Sequence, residues 1–142
     1  MSARTKARKR ALDIVFEADQ RAVSPADVLA ERERSADPVV PEHASALVDA
    51  LVTHQAHVDE VIGTYAVGWQ LDRMPAVDRA LLRTAVTELL YFPDVPAAVV
   101  LDEAVELAKQ LSTDESPSFV NGLLAQVVPL RSAAAADGGI GD

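Results

Sequence analysis

Apolar residues recur along this chain every three or four positions and hardly ever alternate, which is the pattern of helices and not of strands. From Ala7 the small and apolar positions are Ala7, Ala11, Ile14, Val15 and Ala18, the i, i+4, i+7, i+8, i+11 spacing of a helix with one buried face. Ser24-Pro25-Ala26-Asp27 supplies an N-cap residue, a proline at the first helical position and an acid in the first turn, so a second helix is predicted over about 25–34. Pro38 to Pro41 breaks the chain. Beyond it Ala44, Leu47, Val48, Leu51, Val58, Val61 and Ile62 predict one or two helices ending near Gly63 or Gly68, followed by a short connection over 69–74.

Pro75 opens the most apolar segment, PAVDRALLRTAVTELLYF, in which Leu82, Ala85, Val86, Leu89 and Leu90 form a stripe widened by Val77, Leu81 and Phe92. This is expected to be the central helix, stopped by Phe92-Pro93-Asp94-Val95-Pro96. The next, AAVVLDEAVELAKQLS, sets Val100, Ala104, Leu107, Ala108 and Leu111 on one face and most of its charges on the other. The last helix is predicted to start within Thr113 to Pro117, with Val120, Leu123, Leu124 and Val127 inside and Pro129 marking its weakening. Its register runs straight through Asn121-Gly122, a pair that ordinarily marks a turn. A glycine inside a helix costs about 1 kcal/mol relative to alanine. Close approach of another backbone would explain it, and a turn splitting the segment is the alternative. The tail from about 133 has no periodic apolar face and is expected to be disordered, which leaves one compact domain over 1–132.

Charge changes this picture at one place. The chain has 13 Lys and Arg against 22 Asp and Glu, a formal net charge of -9, yet its first ten residues hold Arg4, Lys6, Arg8, Lys9 and Arg10 and no acid. A signal peptide would need an apolar run directly after such a block, and Asp13, Glu17 and Asp19 interrupt it. The block therefore forms the first turns of the first helix, although each exposed cation at a helix N-terminus opposes the macrodipole by about 0.3–1 kcal/mol. On the helical wheel the five cations are expected to face solvent, which suits nucleic acid or another polyanion; a basic terminus that only aids solubility is the plainer reading.

Catalytic patterns are poor. With no cysteine there is neither a thiolate metal site nor a cysteine nucleophile. His54 and His57 share a helix face but lack a third ligand or a zincin glutamate, and read as exposed helix histidines. Asp102, Glu103 and Glu106 read as a solvated face. Serines sit at caps and in the tail, and no glycine-rich loop has phosphate-cradling spacing. Phe119 could belong to the core or offer a face to a base. No enzyme, cofactor, metal or membrane span is expected, and a cytoplasmic location fits.

Five segments taken in order, ARKRALDIVF (7–16), VDRALLRTAVTELL (77–90), DVP (94–96), DEAVELAK (102–109) and FVNGLL (119–124), resemble the NusB family of bacterial transcription antitermination proteins. The resemblance spans about residues 3–130. It implies an all-α fold of about seven helices in two three-helix subdomains and no enzymatic activity. It also implies binding to the boxA element of ribosomal RNA leader transcripts, together with the ribosomal protein NusE, within an antitermination complex on RNA polymerase. Carried over position by position, it marks Arg4, Lys6, Arg8, Lys9 and Arg10 as RNA contacts, with Phe16, where relatives often have tyrosine, and with Glu115 and Phe119 at the start of the last helix. Asp78 falls near the partner and RNA surface. Monomer and homodimer both stay open at this point. So do two other classes, a helical protein adaptor without RNA binding and a recognition module like the helical domain of some RNA methyltransferases.

Overall fold

A computed structural model describes residues 2–35 and 38–141, with side chains described as far as Arg131. It is all-α: α1 Ala3–Arg21, α2 Pro25–Ser35, α3 Glu42–Tyr65, α4 Ala76–Tyr91, α5 Ala97–Leu111 and α6 Ser116–Gly141, with one short 3₁₀ turn at Leu71–Arg73. Six helices become seven helical arms because α3 is kinked at His54 (φ -114°, ψ 16°). The hydroxyl of Thr53 donates to the Asp49 carbonyl at 3.0 Å, a back-bond that bends helices, and the His54 ring stacks flat on Tyr91 at 3.8 Å. His57 meets the same ring edge-on. The two histidines are thus tied to Tyr91, whose burial raises its pKa above the ordinary value.

The helices pack as two trios, α1–α3 and α4–α6, joined through α4. Side-chain bonds fix the directions. Arg8 meets Glu88 and Asp19 meets Arg79, so α1 and α4 are antiparallel. Ser112 at the end of α5 reaches Asp78 while Glu103 reaches Arg8, so α5 also opposes α4. Asp78 bonds Ser116, and Arg131 bonds the carbonyls of Phe92 and Val95, so α4 and α6 run parallel. The predicted central helix is central: Leu82, Val86 and Leu89 are fully buried, and so are four of its polar residues, Asp78, Thr84, Thr87 and Glu88.

α6 continues past Pro129, the position expected to mark its weakening. Gly122 lies inside the continuous helix, as its register predicts, yet among the described residues an added Cβ there would meet nothing within 4 Å, so no close backbone approach accounts for it. The predicted loss of order from about 133, and the domain limit at 132, lie beyond the described side chains.

Candidate nucleic-acid interface

The first turn of α1 is built despite its charge. Ser2 is the N-cap, its hydroxyl accepting the Thr5 backbone N–H at 3.0 Å, and the Thr5 hydroxyl donates to Glu103 on α5 at 2.6 Å. From this anchored turn Arg4 and Lys6 are exposed, and among the described residues neither has an ion-pair partner. Lys9 is half-exposed and held by Asp13 at 2.8 Å, one turn on. Arg10 donates to the Pro38 carbonyl at 3.2 Å.

Arg8 corrects the expectation that all five cations face solvent. It is only 7% exposed, and its Nε and Nη2 grip the Glu88 carboxylate in a fork at 2.8 and 2.9 Å while Nη1 reaches Glu103 at 3.1 Å. Burial opposes its charge, but the bonds to Glu88 and the proximity of Glu88 and Glu103 outweigh it, and the guanidinium pKa is raised. His43 on α3 shares the same Glu88 oxygen at 3.0 Å. Arg8 is a strut between α1, α4 and α5. Glu103 is likewise engaged, contrary to the reading of a solvated α5 face.

Of the remaining candidates, Asp78, Glu115 and Phe119 gather at the opposite end of α4. Trp69, Met74, Pro75, Asp78, Thr113, Glu115, Ser116 and Phe119 enclose a cleft of about 170 Å³. Trp69, the only tryptophan, is 47% exposed, and its ring lies 6.3 Å from that of half-buried Phe119, tilted by 50°. Glu115 is exposed at the rim.

Asp78 forms part of the floor. It is 4% exposed, and its two oxygens accept the hydroxyls of Ser112 at 2.6 Å and Ser116 at 2.9 Å. It pins the start of α6: Asp78, expected near the partner and RNA surface, lines the cleft with both carboxylate oxygens already occupied inside the fold. Its neighbour Arg79 holds the other wall. Nε and Nη2 bind Asp19 at 3.2 and 2.5 Å, and Nη1 donates to the carbonyls of Leu71 and Met74 at 3.0 and 3.1 Å, fixing the turn that follows Trp69.

The geometry therefore separates what the sequence grouped. From Glu88, beside the cations, to Asp78, under the cleft, α4 rises about 15 Å at 1.5 Å per residue. Phe16, two turns beyond Arg8 on α1 and partly buried against the core, lies between them. Trp69, Arg79, Glu88 and His43 were not singled out from sequence. A lone tryptophan in a polar connection was the available signal for the first. Among the described residues no cluster of three His, Cys, Asp or Glu could hold a metal, and no helix is long and apolar enough to cross a membrane.

Comparison with known proteins gives a consistent result. A model of the NusB family matches residues 5–129. The transcription antitermination protein NusB of Kineococcus radiotolerans is 59% identical over 131 residues, covering 92% of this chain and 96% of its own. That of Acidothermus cellulolyticus is 58% identical over 127 residues, covering 89% and 88%. Among solved structures, Thermotoga maritima NusB superposes with a TM-score of 0.80 at 30% identity, over 91% of this chain and 92% of its own. A chain from a crystal structure of NusB and NusE in complex with double-stranded RNA reaches 0.78 at 27% identity, covering 89% and 96%.

Proposed function

The chain belongs to the NusB family of transcription antitermination factors, and from that premise we propose that it binds the boxA element of ribosomal RNA leader transcripts together with the ribosomal protein NusE. The observation that carries this reading is the capped, exposed cationic end of α1 on a chain whose remaining residues are strongly acidic. Arg4 and Lys6, with Lys9 and Arg10 beside them, attract phosphates by releasing condensed counterions. Base preference then comes from the other end of α4, where the faces of Phe119 and Trp69 offer stacking and Glu115 offers acceptors to base N–H groups. The acidic remainder suits a basic ribosomal protein and discourages RNA elsewhere on the surface. The pair would act in the cytoplasm, within the antitermination complex on RNA polymerase, by holding nascent RNA and without bond chemistry.

Titration of fluorescently labelled boxA RNA, with and without NusE and across a salt series, tests the proposal. Arg4→Glu with Lys6→Glu is expected to weaken binding and flatten its salt dependence; wild-type protein that fails to retain boxA RNA in either setting sinks the reading. These two positions are the right ones to change, because a charge reversal at Arg8 would disrupt the fold and confound the result.

A further inference from the structure

Gly122 is the seventh residue of α6, flanked by a full helical turn on each side and preceded by Asn121, another poor helix former. Val120, Leu123 and Leu124 are buried and hold the helix through the pair, while Asn121 and Gly122 are exposed. Nothing in the fold requires the glycine: a Cβ would stand in open space, and the φ is not left-handed. Helical phase sets Gly122 about 60° from Phe119 around the axis, and Glu115, whose carbonyl accepts the Phe119 N–H, stands just before the first turn. Gly122 therefore continues, one turn on, the face that Phe119 presents to the cleft. Since α6 runs parallel to α4, that turn also leads away from the cleft toward the cationic end.

We infer that Gly122 is a contact position where the backbone of the bound RNA strand passes over α6 as it leaves the Trp69–Phe119 cleft, with the Asn121 amide beside it as a hydrogen-bonding group. A missing Cβ lets a ligand's backbone approach a helix closely, and α6 carries no acidic residue from Ser116 to Leu130 to repel a phosphate there. Among the described residues the Asn121 side chain makes no internal hydrogen bond, which leaves both its donors and its acceptor for the strand. The inference rests on the RNA-binding reading above and adds to it a path.

The test exploits opposite signs. Gly122→Ala and Gly122→Leu both improve helix propensity, so each is expected to raise the melting temperature by about 3 °C. If RNA passes here, affinity for boxA RNA falls all the same, about tenfold for alanine, the scale of losing one nucleotide contact, and further for leucine. Gly63, a second exposed glycine with open space around it, lies in the last turn of α3 and is the control. Gly63→Ala is expected to leave affinity unchanged. Unaltered RNA binding by both Gly122 variants, with wild-type binding intact, overturns the inference and leaves the broader proposal standing. Loss confined to NusE binding, measured without RNA, overturns it as well and assigns the face to protein. Absence of wild-type binding is the separate failure of the broader proposal.

Discussion

The two ends of α4 solve different problems with similar residues. At the Glu88 end a guanidinium is buried in a fork with carboxylates from two other helices, and the cations around it are left outside. At the Asp78 end a carboxylate is buried by two hydroxyls, a guanidinium ties down a loop, and what is left outside is aromatic and acidic. In each case the buried charge fixes backbone positions and its neighbours carry the surface chemistry. One end presents cations to solvent and the other presents aromatic rings.

The strongest way to break the comparison is at Arg8. Arg8→Ala leaves Glu88 buried with only His43 beside it, and removing one partner of a buried ion pair costs about 3–5 kcal/mol. Chemical denaturation should show a loss of that size, whereas Lys6→Ala, two residues away and exposed, should stay within about 0.5 kcal/mol of wild type; equal effects would show that burial does not distinguish them. Next in size is Phe119→Ala. Loss of a stacking ring is expected to cost about 1–3 kcal/mol of RNA affinity with little change in salt slope. The paired change Arg4→Glu and Lys6→Glu should instead reduce the slope by roughly 1.4, at about 0.7 per phosphate on a single strand. Should both variants alter the slope alike, the division of labour between the ends is wrong.

The smallest effect contrasts the Arg8 fork with an exposed one. Arg21, in the last turn of α1, binds Glu31 through two nitrogens at 3.1 and 3.0 Å. Hydrogen bonding to Arg21 lowers the Glu31 pKa below its usual 4.5. A depressed acid contributes stability above its unfolded pKa and loses it as pH falls through the native value. Glu31→Gln should therefore narrow the difference between melting temperatures at pH 7 and pH 3 slightly. No narrowing would mean that the pair is fully screened by solvent.

Much of this was legible in the sequence, for a definite reason. Helices are local, so the period of Ala7, Ala11, Ile14 and Ala18, the cap at Ser24-Pro25 and the central stripe around Leu82 and Val86 all announce themselves within a few turns. The aromatic Phe119 and the basic block were also visible. What the local pattern could not show was pairing across 80 and 95 residues, which is how Arg8 finds Glu88 and Glu103. A weak trace existed: Leu12 and Val15, four and seven positions after Arg8, place it on the edge of the apolar stripe, and Thr84 and Ala85 do the same for Glu88. The kink at His54 was hidden as well, since neither proline nor glycine marks it; a hydroxyl back-bond and a ring on another helix accompany it.

Asp78 and Arg79 are consecutive residues in the first turn of α4, one pinning α6 and the other the loop after Trp69. Consecutive helical positions point about 100° apart, so the two grips hold only while the phase of that turn is kept. Inserting or deleting one residue between Arg79 and Leu82, the start of the buried stripe, would swing both side chains away from their targets together and open the cleft from both sides. The residue count between this pair and the buried stripe that starts at Leu82 is therefore itself under constraint.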